Sequence, residues 1–425
     1  MFREFIEKME GEGRVVRIGQ ELSPAEEMSF VMRENEGRIC VFESPKGYGH
    51  CSVVSGTASS RELIARALGT ERDKILFRIL RAMENLKEYK VKESAEFLEN
   101  EVENPEVIKH IPLLKYFFKN QPFYTTSTIV VSKSPEGDLN YSFHRMKYLG
   151  KNRFAIRMVA GRHLDTNFQR SFGDLKVAIF LGVHPAVEIA VSTSLPYGVN
   201  EMLLANALLD GKLACTRIED FDIPSHAEIV MIGRIKKGEL AEEGPFIDLT
   251  ETWDTVRKQP VVEIEKLYYR EDFLYRTLLP GGNEHRLLMG LPQEPRMYRI
   301  ISNTLPRVKN LCLTQGGCCW LHAVVSIEKR NEGEGKNVGL AALAAHPSLK
   351  GVVVVDEDID PANPEEVEWA IATRVQPEKD VIVISDCKGS SLDPSHDLKK
   401  GTTGKWIIDA TAPAGEIEMF RKVMG

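Results

Sequence analysis

The hydrophobic period changes twice along this 425-residue chain, and that limits the folds open to it. From residue 60 to 90, apolar side chains recur at three and four: Leu63, Ile64, Ala67 and Leu68, then Ile75, Leu76, Ile79 and Leu80. Such spacing predicts helices with one buried face. Upstream, residues 14–18 and 39–42 read as short strands and 24–33 as a helix. The acidic stretch 93–106 reads as a solvated connector. Between about 108 and 300, short runs rich in β-branched residues take over, at 125–131, 154–159, 177–181, 187–191, 227–232 and 261–264. Turns rich in Gly, Pro, Asp and Asn separate them, as in a compact antiparallel barrel or sheet. One good helix, 201–209, interrupts them. From about 305, strands (321–327, 352–355, 381–384) alternate with helices (337–345, 364–372), the pattern of a small α/β unit with a parallel sheet. The expected fold class is therefore mixed α+β and α/β in several domains, since the chain is too long for one ordinary core. The divisions are an N-terminal α/β domain over 1–107, a central β-rich domain over 108–300 and a C-terminal α/β domain over 301–425.

Charge and cysteine content narrow the function. There are 62 acidic and 55 basic residues, a formal net charge of −7, with no strongly basic stretch, which argues against nucleic acid as a partner. The N-terminus is charged and amphipathic rather than signal-like, and no apolar run is long enough to cross a bilayer. A cytoplasmic protein is expected. The seven cysteines are odd in number and scattered. Cys312, Cys318 and Cys319 match no zinc spacing, so buried free thiols are the expectation.

Two motifs in the last third are decoys. The glycines 333, 335 and 339 follow a strand and open a helix, but the spacing is one residue too long for a dinucleotide fingerprint, and Glu334 and Lys336 crowd the approach. The Asp356-Glu-Asp358-Ile-Asp360 run lacks the glycine and distant glutamate of a calcium loop, and reads as a capping turn before Pro364.

Three other segments place ionisable groups in apolar surroundings: Asn140-Tyr-Ser-Phe-His-Arg145, Glu201 after Ser194-Leu-Pro196, and Glu243-Gly-Pro-Phe-Ile-Asp248. Asn140, His163 and Glu201 offer oxygen and imidazole ligands suited to Mn²⁺ or Mg²⁺. Singly, they also read as a turn asparagine, a satisfied histidine and a helix-opening glutamate. An arginine such as Arg145 keeps a neighbouring carboxylate ionised, while a second carboxylate in an apolar pocket can act as an acid. Spacing does not show that Arg145, Glu243 and Asp248 meet. Lys405 reads either as a phosphate contact or as one exposed lysine.

In combination and in this order the segments resemble the UbiD family of reversible decarboxylases. The family's Asn-x-x-x-x-Arg segment matches 140–145, and Tyr148-Leu-Gly-Lys-Asn-Arg153 and Ile156-Arg-Met follow it. His163 in Gly161-Arg-His163 and Glu201 match its other metal ligands. Pro224-Ser-His-Ala-Glu228-Ile-Val230 is a structural marker, and Glu243 to Asp248 matches Glu-Gly-Pro-aromatic-Gly-Glu/Asp. Lys405 followed by Asp409-Ala-Thr411 closes the series. The resemblance departs at Ile247, where the family has glycine, and in the short stretch after Lys405, from which a long dimerisation tail is expected to be missing.

The resemblance implies a UbiD-like fold with a split-barrel-like cofactor domain and a decarboxylase using prenylated FMN as electron sink. Asn140, His163 and Glu201 would hold Mn²⁺ or Mg²⁺ at the cofactor phosphate, with K⁺ nearby, and Ser142, Arg162, His163 and Lys405 would line the cofactor. Arg145 would orient the substrate carboxylate, Glu243 would hold Arg145, and Asp248 would exchange the proton. A flavin prenyltransferase would supply the cofactor to a homo-oligomer. The chain looks most like the archaeal branch that converts trans-anhydromevalonate 5-phosphate to isopentenyl phosphate, whose phosphate could use His144 or Lys147. The alternatives are a decarboxylase of polyprenyl-4-hydroxybenzoate or another aryl acid and, from another class, a non-catalytic flavin- or metal-binding subunit.

Overall fold

Every residue in the strand Leu175–Leu181 but one is buried, which fixes it at the centre of a sheet covered on both faces. In the computed structural model, which describes residues 1–117, 121–397 and 399–423, that sheet has nine strands. Their order is Tyr124–Thr125, Met146–Gly150, Arg153–Ile156, Arg257–Tyr269, Ile229–Glu243, Leu175–Leu181, Ile129–Lys133 and Leu139–Phe143, all antiparallel, and the path does not close. The ninth strand, Asn100–Glu103, pairs with Arg257–Tyr269. It lies inside the stretch expected to be a solvated connector. Its alternation hides Asn100 and Val102 while Glu101 and Glu103 stay out, and Glu101 accepts from Lys266 at 2.8 Å, so a charged segment serves as an edge strand.

The chain separates into two compact units, 1–247 with 253–288, and 248–252 with 289–425. The first holds the nine-stranded sheet, a four-stranded sheet built on Val15–Ile18, Ile39–Phe42, Ser52–Ser55 and Leu274–Arg276, and a three-stranded one. The N-terminal helix expected from residue 24 begins only at Met28. A larger correction concerns 187–191, expected as a strand. It lies in the helix Pro185–Ser192, whose start is set by proline at the first turn and by His184 Nδ1 accepting from the Ala186 N–H. This helix is buried on nearly all sides, so its sequence carries no helical stripe, only an apolar run. Its Glu188 pairs with the fully buried Arg276, which also meets Glu284.

The second unit carries a five-stranded sheet ordered Val308–Leu313, His322–Ile327, Gly351–Asp356, Thr402–Ala410, Val381–Lys388. Only its three central strands are parallel and both edges are antiparallel, so the expected parallel sheet is a mixed one. Gly335 and Gly339 lie on the helix Glu334–Ala345, where any Cβ would strike Asp409 and Ile407 of the adjacent strand. These glycines serve helix–strand packing. The Asp356–Asp358 pair is taken by Arg374, at 2.6 and 2.8 Å, and Asn363 caps the helix Pro364–Arg374. All seven cysteines are free, with Cys318 and Cys387 only partly buried. Among the described residues no helix is long and apolar enough to cross a membrane.

Candidate active site

The segment that leaves the strand Leu139–Phe143 and enters Met146–Gly150, two strands that do not pair with each other, carries two groups of polar side chains in the first unit. At its first end, strand alternation sends Tyr141 into the core, where its hydroxyl donates to the Asp222 carbonyl at 2.7 Å. Asn140, on the opposite face, meets the first residues of two helices. Its Nδ2 donates to Glu201 Oε1 at 3.0 Å and lies 3.3 Å from His163 Nδ1. Glu201 opens the helix Glu201–Leu208, and His163 opens His163–Arg170. The second Glu201 oxygen accepts the Tyr141 N–H at 2.8 Å. Burial nevertheless drives the Glu201 carboxyl up to about 8. Burial and the neighbouring charge of Arg162 lower His163.

One polar atom of this trio has no partner: Asn140 Oδ1, buried and unbonded. An orphaned acceptor beside a carboxyl held neutral and an unprotonated imidazole is a site short of a cation. Among the described residues no cluster of three or more His, Cys, Asp or Glu side chains could hold a metal. Here one amide, one imidazole and one carboxylate make the donor set, and it suits a hard to borderline divalent ion. To ligate through oxygen, the amide has to turn its NH₂ away from Glu201. Asn200 and Tyr89 stiffen the carboxylate's support. Asn200 Oδ1 caps the Glu201 helix at Met202 N (2.8 Å), and its Nδ2 donates to the Tyr89 hydroxyl (3.0 Å), which in turn donates to Asp222 (3.0 Å).

At the other end of the segment sits Arg145. Its Nε and Nη2 donate to the two oxygens of Glu243 at 2.9 and 3.0 Å, and Nη2 also reaches Asp254 at 2.7 Å. Phe246 lies under the guanidinium, 4.1 Å from ring centre to Cζ. Glu243 is fully buried and accepts a further bond from the Tyr124 hydroxyl at 3.1 Å, which itself accepts the Gly244 N–H. Gly244 has φ +104°, a backbone open to glycine. Burial opposes the charge on Asp254, but hydrogen bonds from Arg257 and Arg145 prevail and hold it at about 2. Burial and Glu243 raise Tyr124 well beyond the ordinary phenol range.

Between the two groups, Ser142 Oγ and His144 Nε2 are 2.9 Å apart and His144 Nδ1 is 2.8 Å from the Arg157 carbonyl. Desolvation lowers His144 to about 4, so it is neutral, donating through Nδ1 and accepting from Ser142. Both nitrogens are thereby used, which removes His144 as a cation for a phosphate. Arg162 is exposed at the turn before His163. Asp248 and Lys405 fall in the second unit. Asp248 starts a tight turn closed by its N–H to the Thr252 carbonyl at 3.1 Å, and its Oδ1 accepts from Leu249 N. Lys405 is buried rather than exposed. Its Nζ donates to the Pro347 carbonyl at 2.6 Å, and burial lowers its pKa.

Asp254 and Tyr124 were invisible to motif reading. Neither falls in a quoted segment, and each joins the site only through strand pairing: Tyr124 opposite Lys147, Asp254 opposite Phe246.

Known proteins share this architecture. The three domain profiles of 3-octaprenyl-4-hydroxybenzoate carboxy-lyase match in order: N-terminal over residues 6–83, Rift-related over 89–283 and C-terminal over 286–410. Anhydromevalonate phosphate decarboxylase of Methanothermobacter thermautotrophicus is 44% identical over 427 residues, covering 99% of both chains. The Methanosarcina mazei protein of that name is 40% identical, covering 100% of this chain and 99% of its own. The UbiD-class enzyme HmfF from Pelotomaculum thermopropionicum, solved with FMN, superposes with a TM-score of 0.95 at 35% identity, covering 100% and 97%. With all three domain profiles matched in order and a relative 44% identical over the full length, the chain belongs to the UbiD family of carboxy-lyases.

Proposed function

We propose that the chain decarboxylates trans-anhydromevalonate 5-phosphate to isopentenyl phosphate and CO₂ with prenylated FMN. The observation carrying this reading is the doubly clamped Arg145 five residues from the Asn140 trio, in a chain 44% identical over its length to an anhydromevalonate phosphate decarboxylase. The same name belongs to several archaeal relatives at 39–45% identity. When bound, the modified flavin supplies the electron sink that takes up charge as CO₂ departs. Asn140, His163 and Glu201 would hold Mn²⁺ or Mg²⁺ against its phosphate, with K⁺ beside them. Ser142, Arg162 and Lys405 would line it. An HmfF structure with prFMN, 33% identical to this chain, supports the choice of cofactor.

The chain's own groups do the rest. Arg145 binds and orients the substrate carboxylate, and Glu243 and Asp254 fix its guanidinium before the substrate arrives. Asp248 delivers the proton to the carbon that lost CO₂. We further assign three domains over 1–107, 108–300 and 301–425, a homo-oligomer in the cytoplasm, and a flavin prenyltransferase as cofactor source.

The test is decarboxylation by protein co-expressed with a flavin prenyltransferase, with aryl acids assayed alongside. Turnover of the phosphate substrate that disappears in Asp248→Asn, with flavin content unchanged, is expected. Turnover of aryl acids alone would replace the substrate and leave the chemistry.

A further inference from the structure

The ladder that leads to the arginine clamp breaks just before it arrives. Strand Ile229–Glu243 pairs with Arg257–Tyr269 as far as Glu243 opposite Arg257, and pairing resumes with Phe246 opposite Asp254. Between them, Gly244 and Pro245 belong to no strand. Proline has no N–H to give a ladder, and Gly244 turns out of it with φ +104°. The opposite strand closes the space, with Val256 Cα 3.2 Å from where a Cβ on residue 244 would stand. Two side chains take over the missing ladder bonds. Tyr124 Oη accepts the Gly244 N–H at 3.0 Å, and Lys147 Nζ donates to the Gly244 carbonyl at 2.8 Å. Tyr124 and Lys147 are themselves partners across antiparallel strands, so their side chains stand on one face. One cross-strand pair therefore grips Gly244 from both sides. Tyr124 has a second task. Its hydroxyl donates to Glu243 Oε1 at 3.1 Å, an oxygen that already accepts from Arg145 Nε at 2.9 Å. The phenol keeps its proton, because burial and Glu243 carry its pKa beyond the ordinary range. Its ring meets that of Phe246 edge-on at 5.0 Å, and Phe246 lies 4.1 Å from the Arg145 guanidinium. Glu243, Phe246 and, through pairing with Phe246, Asp254 are thus all fastened to Tyr124.

We propose that Tyr124 and Lys147 are positioning residues of the decarboxylase, a proposal that rests on the role given to Arg145 above. They replace the ladder where Gly244 and Pro245 break it, and so set where Glu243, Phe246 and Asp254 stand around the arginine. Both act through other groups rather than on the acid itself. Tyr124 acts on the clamp twice, through Glu243 and through Gly244, and Lys147 once, through Gly244. A guanidinium aimed at a carboxylate loses its effect when displaced by about 1 Å, so a loose turn beside the clamp costs rate rather than affinity. A charged donor suits the Gly244 carbonyl, since a bond from an ammonium is stronger than the amide bond the ladder would have given.

The experiment has two readouts on holoenzyme. One is steady-state decarboxylation of trans-anhydromevalonate phosphate and of an aryl acid panel. The other is amide hydrogen exchange of peptide 244–256, read by mass spectrometry. In Tyr124→Phe, kcat should fall about 10- to 100-fold, with KM nearly kept and flavin absorbance full. Lys147→Met should lose about 10-fold, and Lys147→Arg, which keeps a charged donor, should recover most of it. Peptide 244–256 should exchange faster in Tyr124→Phe and Lys147→Met, while the strand Leu175–Leu181 keeps its protection. A cycle with Glu243→Gln separates positioning from general stability: Tyr124→Phe should cost little more once Glu243 is replaced, because both act on one arginine. Fully additive losses in the double variant would overturn the proposal. So would a raised KM with kcat kept, unchanged exchange of 244–256 in both variants, or a fall in flavin, which would assign the pair to the cofactor. Wild type that turns over aryl acids alone changes the substrate, and the same comparisons then decide the proposal on those acids. Wild type that turns over none removes the role of Arg145 and the proposal with it.

Discussion

The two ends of segment 140–145 are opposites. At Asn140 the groups are under-satisfied: a buried amide oxygen has no partner, and a carboxyl is pushed to about 8. At Arg145 the guanidinium is clamped by two carboxylates, and Asp254 stays ionised at about 2 despite burial. The first end keeps a buried acceptor without a partner. The second is organised in advance. On the function proposed above, the first end receives a group and the second acts on one, so mutations at the two ends should fail in different ways.

The largest effect is expected at the organised end. Glu243→Gln leaves Arg145 with Asp254 alone as a charged partner and a neutral amide in the fully buried position, so the guanidinium loses the bidentate carboxylate that sets its orientation. Decarboxylation should fall by about 10³-fold in kcat, within the range for a misplaced catalytic charge, while bound metal and flavin stay at wild-type levels. Single-turnover assays with matched flavin absorbance check this. Loss of flavin together with activity would erase the division between the two ends.

At the incomplete end, Glu201→Gln should lose the cofactor itself. Removing a group that merely orients a metal ligand costs about 10–100-fold in affinity, so removing the ligand should weaken Mn²⁺ by at least about 100-fold, as titration calorimetry would read. The pH dependence has a defined sign. Glu201 has a folded pKa raised from 4.5 to about 8, so the metal-free fold holds a proton that the unfolded chain gives up. Its contribution is present below pH 4.5 and lost as pH rises to about 8. The melting temperature of metal-free wild type should therefore fall across that window relative to Glu201→Gln, and Mn²⁺ should restore it. Parallel curves for the two proteins would mean that Glu201 is not the buried acid described.

The sequence foretold this division unevenly. Asn140, Arg145 and Glu243 were legible because each sits in a short segment with several fixed neighbours. Glu201 was legible because it starts a helix after a proline-containing loop. Asp254 and Tyr124 were not, since pairing across strands brings them in and a linear motif does not encode register. The helix Pro185–Ser192 was missed for another reason: burial on nearly every side removes the polar face that would have revealed its period. His144 misled because an imidazole in sequence has no tautomer, whereas in the fold both its nitrogens are committed.

The smallest effect tests whether the incomplete end is stiff or soft before its cation binds. Among the described residues Tyr89 makes no hydrogen bond to the trio, yet its hydroxyl links Asp222 to Asn200, and Asn200 caps the helix that starts with Glu201. Tyr89→Phe removes that link and little volume. The cost in stability should be about 1 kcal/mol, that of one hydrogen bond, read by denaturant unfolding. If the link also sets where Glu201 stands, Mn²⁺ affinity should drop by several-fold more than the small stability loss explains. If affinity is unchanged, the helix N-terminus is positioned by the packing of Met202, Leu204 and Ala205, which are fully buried, and the polar chain only fills the space beside it. In that case the unpaired Oδ1 of Asn140 is held in place by the core itself, as firmly as Glu243 and Asp254 hold the arginine at the other end.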